Sequence, residues 1–380
     1  MELSNKKQGN SIPNLSFCKT IKENQNFNTF DVFKLEGKDE NSNFIYGYLA
    51  LTNNESKSID IYKIFSKNDF KLIQSIKVNC KNIDFIKFFY DPYLKVHYIT
   101  ALINQINDDS EIIIWKIVDE NKYILIYNYT NDMLKQPYMM SVRIIFLRFY
   151  SILFTKNQLF LIIYYKMNFG RRAGALDIIN LYNKKRLSTP EEVGYFTYKK
   201  VIKVFHVNRN IGNYLGVLDI DSFRLLKLLP DNFNPDSKEM FDSADFVKID
   251  FAEKLNKGKV IDGVLIEENN NSEYLFTCHK FQDKYYIIKT DIKNNQIVFK
   301  SEIHTKELNS MLSWNNNYLV FFTKEGKIIL LFNKKTGKIE KKLINGEKSL
   351  INGKKLIIHE NEELLFGTDE NGFLNLWNNQ

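Results

Sequence analysis

The chain has 380 residues, of which 44% are hydrophobic and 14% aromatic, so it is too apolar to be a disordered chain and has material for a large core. Its formal net charge is +8, but the lysines are scattered along the whole chain among 45 acidic residues, which favours a solvated surface over a dedicated polyanion site. Three widely separated cysteines argue against a disulfide framework and a cysteine metal site. We therefore expect an intracellular protein, cytoplasmic or nuclear.

The first residues contain no apolar segment of signal-peptide length, and residues 1–14 are expected to be flexible. Leu15–Lys22 follows as a strand candidate. Further along, the most apolar run of the chain, Val142–Tyr165, is interrupted by charged and polar residues. These interruptions predict two strands in place of a transmembrane helix.

Residues 44–128 show a recurring pattern of short apolar strands separated by turns, with almost no helical periodicity. The predicted strands are 44–51, 58–64, 70–76, 83–89, 97–103, 111–117 and 122–127. Regular short strands of this kind predict an all-β sandwich, barrel or propeller.

Repetition decides between these architectures. An aromatic residue recurs near the end of a strand, at Tyr62, Trp115, Tyr182, Phe332 and Trp377. The first two are 53 residues apart and the last two 45, close to the period of propeller blades. Chance recurrence in a chain rich in Phe and Tyr is the alternative. The spacing predicts a β-propeller, with about seven blades of four antiparallel strands.

Two segments resemble WD40 repeats. Ile328–Lys338 is similar to the third strand and following turn of a repeat, with Phe332-Asn333 where the family has Trp-Asp, and Leu364–Asn378 resembles the second and third strands of another. The chain departs from the family because it has no Trp-Asp or Gly-His dipeptide. The resemblance implies a diverged propeller whose blades are held by apolar packing, and a scaffold role in an assembly.

The predicted domain comprises residues 1–380. Because the last recognisable strand ends at Trp377, the final blade lacks an outer strand, and we expect Leu15–Lys22 to supply it and close the propeller. Residues 183–200 and 231–258 do not fit the four-strand rhythm and are predicted to be inserted loops, the second with a short helix after its acidic stretch.

Catalytic and cofactor motifs are missing from the sequence. It has no phosphate-binding loop, dinucleotide-binding turn or serine nucleophile elbow, and no two histidines have helical metal-ligand spacing. Cys278 and His279 are adjacent on a predicted strand, so we expect a core cysteine beside a surface or edge histidine. We assign no catalytic, cofactor-binding or metal-binding residue and expect that the protein is not an enzyme.

The sequence therefore favours a non-catalytic scaffold, or subunit of a multiprotein assembly, that binds protein partners. A propeller that binds phosphoinositide or nucleic acid through lysine-rich edges is the first alternative, and an enzyme with dispersed catalytic residues is the second. Candidate basic residues for the first alternative are Arg171, Arg172, Lys184, Lys185 and Arg186, with Lys341 and Lys342 at another edge. Binding to polyanions should weaken more steeply with salt than binding to a protein.

Overall fold

The computed structural model describes most of the chain. The described residues are 15–22, 29–38, 44–91, 94–104, 110–119, 122–129, 144–155, 158–167, 174–181, 197–198, 200–209, 212–228, 241–251, 258–268, 272–305, 307–314, 317–323, 328–344, 352–359, 362–369, 371 and 373–379. Within this part of the chain, no helix is long and apolar enough to cross a membrane.

Strand β1 (Leu15–Lys22) pairs with the last strand of the chain, and the next strands form sheets of four in chain order. The first such sheet contains β2 (Phe30–Lys38), β3 (Phe44–Asn53), β4 (Ser58–Ile64) and β5 (Phe70–Lys77). The next contains β6 (Asn82–Asp91), β7 (Val96–Asn104), β8 (Ser110–Asp119) and β9 (Lys122–Tyr129). It is followed by β10 (Ile144–Thr155), β11 (Gln158–Met167), β12 (Gly174–Asn180) and β13 (Thr197–Tyr198).

The second half of the chain continues the pattern. One sheet contains β14 (Val201–Arg209), β15 (Gly212–Asp219), β16 (Ser222–Leu228) and β17 (Phe241–Asp250). The next contains β18 (Lys259–Glu268), β19 (Ser272–Phe281), β20 (Lys284–Asp291) and β21 (Gln296–Ile303). It is followed by β22 (Leu308–Ser313), β23 (Tyr318–Thr323), β24 (Ile328–Asn333) and β25 (Lys338–Ile344). The last strands are β26 (Asn352–His359), β27 (Glu362–Thr368) and β28 (Leu374–Asn379).

The described strands form seven four-stranded sheets, in each of which neighbouring strands lie next to each other in sequence except where β1 joins β28. Strand pairs are antiparallel at each register that the structure defines, as in β3–β4 and β23–β24. This meander of four short strands is the pattern of a propeller blade.

Contacts between Cα atoms divide the chain into two compact units. The first unit comprises residues 1–88 and 301–380, and its strand β26 lies against β2 and β22, the first strands of neighbouring sheets. Its apolar core includes Phe366 and Leu376 between sheets. The second unit comprises residues 89–300, and there β14 lies against β10 and β18. Its core includes Phe223 and Phe251.

The N-terminal strand completes the last sheet, as predicted. β1 pairs antiparallel with β28 from Leu15 opposite Asn379 to Lys22 opposite Leu374. The ring of Phe17 meets the ring of Trp377 edge to face, with 6.1 Å between centroids. The outer edge of β28 is therefore covered by a strand from the other end of the sequence.

Four of the five marker aromatics lie on the third strand of their sheets, and Tyr182 is outside the described residues. Trp115, Phe332 and Trp377 are buried, and Tyr62 is half-buried. In each of these four sheets the outer strand carries one extra residue, a β-bulge, next to the partner of the aromatic. The extra residues are Ile73 beside Tyr62, Ile126 beside Trp115, Glu340 beside Phe332 and Cys18 beside Trp377.

Two strands lie in the apolar run of residues 142–165: β10 ends at Thr155, and β11 begins at Gln158. The prediction of an inserted loop at 231–258 is wrong for part of that segment, because Phe241–Asp250 is the fourth strand of its sheet. The pairing of this strand with β16 shifts register between Leu226 and Leu228. Asp242 and Asp245 interrupt the apolar pattern of the strand, so its sequence does not show a regular alternation. In the segment 183–200, Thr197–Tyr198 pairs with β12.

Candidate functional site

A groove of about 630 Å³ lies beside the last strand of the sheet β22–β25. We call it the β25 groove. Its walls are the end of β21 with the residues that follow, the turn after β24, and β25 itself. The polar lining residues are Ser301, Glu302, His304, Thr336, Lys338, Glu340, Lys341 and Lys342.

The turn between β24 and β25 is built by Asn333. Its side-chain oxygen accepts hydrogen bonds from the backbone N–H groups of Lys335 and Thr336, at 2.8 and 3.0 Å. The backbone oxygen of Asn333 accepts a bond from the N–H of Gly337, whose φ of 68° is a conformation that glycine adopts without a steric penalty. The amide oxygen of Asn333 thus holds the turn as an aspartate carboxylate would.

Glu340 anchors β25 to its own sheet. One carboxylate oxygen accepts a bond of 2.7 Å from the Tyr318 hydroxyl, and the other accepts a bond of 2.7 Å from the Asn333 amide. The bond to Glu340 raises the pKa of Tyr318, so the hydroxyl keeps its proton. The bulge in β25 places its extra residue, Glu340, in this network, and one of the two groove carboxylates is thereby engaged within the sheet.

The wall opposite β25 is tied to the turn. The Ser301 hydroxyl donates a hydrogen bond of 2.5 Å to the backbone oxygen of Gly337, which joins this segment to the neighbouring sheet. Glu302 lies 3.6 Å from the imidazole of His304, whose side chain is 86% exposed. The bond from Ser301 to Gly337 therefore joins two sides of the β25 groove.

The charge of the β25 groove is mainly positive. Lys338 and Lys342 are exposed and Lys341 is half-buried, against two carboxylates of which Glu340 is already bonded. β25 is also the last strand of its sheet, so its outer edge presents backbone donors and acceptors. A lysine-lined groove beside a strand edge suits an extended, acidic polypeptide segment better than an enclosed small molecule.

The sequence-predicted site residues fall in two places. Arg171, Arg172, Lys184, Lys185 and Arg186 are outside the described residues, as are most of the loops that carry them. Lys341 and Lys342 line the β25 groove. Nothing in the sequence of β25 alone indicates the groove, because its opposite wall comes from a different sheet. Within the described residues, no group of three or more His, Cys, Asp or Glu side chains could hold a metal ion.

The prediction of a surface or edge His279 is wrong. Its side chain is buried, with Nε2 2.7 Å from the Thr277 hydroxyl and the ring edge-to-face on Phe251. Burial, with a smaller effect from Lys300, lowers the pKa of His279 to about 3, so the imidazole is neutral. Cys278 is also buried, and burial raises the pKa of its thiol. Both faces of β19 are covered here, so alternation along the strand did not reveal an exposed side.

Comparison with known proteins identifies the fold only. No known protein family matches the chain, and no curated protein matches it. Among solved structures, one of the similar chains is BBS1N, crystallised in complex with ARL6DN and soaked with lead. The match covers 92% of this chain and 90% of that one, with a TM-score of 0.54 and 8% identity. The predicted fold class is therefore confirmed: the chain is an all-β protein of the β-propeller class, with blades of four antiparallel strands.

Proposed function

We propose that the protein is a non-catalytic binding platform in an intracellular assembly, and that a partner protein places an extended acidic segment in the β25 groove. The observation that carries this proposal is the line of Lys338, Lys341 and Lys342 along a strand edge. The opposite wall is held by the bond from Ser301 to Gly337. Because this wall is already held in place, less conformational entropy is lost when a partner binds.

Two further observations support the proposal. BBS1N, a chain of the same fold class, was crystallised with another protein, ARL6DN. The cysteines Cys18, Cys80 and Cys278, all within the described residues, form no disulfide bond, which suits a reducing compartment.

Nucleic acid or phosphoinositide remains the alternative occupant. Its support is the same set of lysines. The presence of Glu302 and Glu340 in the β25 groove weighs against a polyanion, because closely spaced phosphates would approach both carboxylates. A polypeptide can place its acidic residues against the lysines and its neutral ones against the carboxylates.

The test is affinity capture with the full chain at low and high salt, comparing wild type with the double variant Lys338→Glu/Lys342→Glu. The matched control is Lys71→Glu/Lys77→Glu, which reverses two exposed lysines on the outer strand β5. We expect one protein that wild type and the control retain at low salt and in smaller amount at high salt, and that the groove variant loses at both.

Retention of that protein by the groove variant would contradict the assignment of the site. Retention of only RNA or anionic lipid, lost at high salt, would favour the alternative occupant.

A further inference from the structure

The outer strand β9 differs in charge from the other outer strands. After Lys122, none of the seven remaining residues of β9 is charged. The other outer strands longer than two residues carry charged residues in their interiors, among them Lys19 in β1, Lys71 in β5, Lys248 in β17, Lys300 in β21 and Lys341 in β25. Charged residues on edge strands ordinarily prevent pairing with another chain, and most of β9 lacks them.

The bulges make β9 and β5 directly comparable. Leu125 pairs with Trp115, and Leu72 pairs with Tyr62 at the equivalent position of its own sheet. Both leucines are exposed, at 55% and 49%. The next position differs: β5 has a lysine, Lys71, whereas β9 has Ile124, which is 46% exposed. β9 therefore presents two adjacent exposed aliphatic side chains where β5 presents one.

We propose that β9 pairs antiparallel with β9 of a second copy of this chain about a twofold axis. In the described residues, no strand pairs with the outer edge of β9. A self-pairing register brings Lys122 against Lys122 only when it is centred on that residue. Registers centred at Ile126 or later pair only uncharged side chains within β9, because Lys122 then lies beyond the end of the partner strand.

A second copy fits β9 better than a charged strand does, because after Lys122 no side chain of β9 can form an ion pair. A charged side chain placed opposite Ile124 or Leu125 would lose water without gaining a counter-charge. An identical strand brings the same two aliphatic residues and buries them, and a twofold arrangement repeats each contact twice.

The net charge of +8 does not prevent this pairing. At physiological ionic strength, exposed charges more than about 8 Å apart are largely screened. A single pair of strands buries little surface, so we expect a weak, concentration-dependent dimer.

Sedimentation equilibrium of the full chain over a range of concentrations tests this proposal. The wild-type mass should rise from 45.0 kDa towards twice that value as the concentration increases. Ile124→Lys should remain at the monomer mass, and it should fold because β5 has a lysine at the equivalent position. Leu72→Lys is the control: it adds the same charge at an exposed leucine of β5 and should dimerise like wild type.

A second measurement locates the contact. Hydrogen exchange of the backbone amides of residues 123–128 should slow at concentrations that favour the dimer, and should not do so in Ile124→Lys. If circular dichroism shows that this variant is unfolded, Leu125→Lys replaces it, because it adds the same charge at the exposed position of β9 that is equivalent to Leu72.

Four results would overturn the proposal. The first is a wild-type protein that stays monomeric at every concentration. The second is equal loss of the dimer in Ile124→Lys and Leu72→Lys, and the third is a dimer that survives Ile124→Lys. A different protein bound at β9 in place of the second copy would also overturn it.

Discussion

Gly263 on β18 lies so close to Leu218 on β15 that a methyl group added to the glycine would be 2.4 Å from Cδ2 of the leucine. Both residues are buried, and Leu218 belongs to the core of the unit formed by residues 89–300. A glycine at this position therefore lets two neighbouring sheets approach each other.

Gly263→Ala should lower the free energy of unfolding by about 1–3 kcal/mol, because the added methyl group overpacks a filled core. In the background of Leu218→Ala, which removes the contacted atoms, the same change should cost much less. Denaturant unfolding of the four proteins of this double-mutant cycle measures the coupling. Equal costs of Gly263→Ala in both backgrounds would show that the contact is relieved elsewhere.

Asn375 connects β1 to the last sheet. Its amide donates a bond of 2.9 Å to Asp369, and its side-chain oxygen accepts a bond of 2.7 Å from Thr20. Asn375→Ala should cost about 2–4 kcal/mol, since it leaves a buried carboxylate and a hydroxyl with fewer partners. Thr20→Val removes only the second bond and should cost about 1 kcal/mol. Chemical denaturation checks the order, and a cost for Thr20→Val at least as large as for Asn375→Ala would contradict it.

The buried His279 makes stability depend on pH. Its pKa is lowered from 6.5 to about 3 in the folded protein, so below pH 6.5 the unfolded chain binds a proton that the folded chain does not. The free energy of unfolding should therefore fall as the pH decreases from about 6.5 towards 3, by up to about 1.4 kcal/mol per pH unit from this residue.

His279→Gln should reduce this slope, because glutamine can still bond to Thr277 but does not titrate in that range. His304→Gln is the matched control, since it makes the same substitution at an exposed histidine. Urea unfolding at pH 7 and pH 4.5 supplies the comparison. Parallel pH profiles for wild type and His279→Gln would mean that other groups cause the acid sensitivity.

Trp377 is fully buried, yet its indole N–H has no hydrogen-bond partner among the described residues. Trp377→Phe removes that unsatisfied donor while creating a small cavity, so the two effects should offset and the net cost should stay within about 1.5 kcal/mol. Phe332 fills the corresponding position of the preceding sheet. Trp377→Ala should cost about 3–5 kcal/mol. Thermal and denaturant melts of both variants check the difference, and similar losses would contradict it.

The sequence predicted the strands in which apolar and polar residues alternate, and the strands in which both faces are apolar. It also predicted that Leu15–Lys22 pairs with the end of the chain, because that segment had no partner in its own neighbourhood. It did not predict β17, whose two aspartates and register shift interrupt the alternation. A bulge is an extra residue on one of two paired strands, so the sequence of one strand alone does not reveal it.

The candidate site was less accessible to sequence analysis. Lys341 and Lys342 are visible as a basic pair, but the opposite wall at Ser301 and Glu302 is contributed by another sheet. Burial of His279 likewise depends on Phe251, which precedes it by 28 positions and lies on no strand. Alternation predicts which side chains share a face, whereas the packing of sheets determines whether that face is covered.

The pairing of β1 with β28 also sets an order of events during synthesis. Thr20 is made 355 residues before its partner Asn375. At translation rates of about 5–20 residues per second, β1 waits roughly 20–70 s for the strand that it covers. The last sheet can therefore assemble only after β28 has left the ribosome, and until then β1 is available to wrong partners.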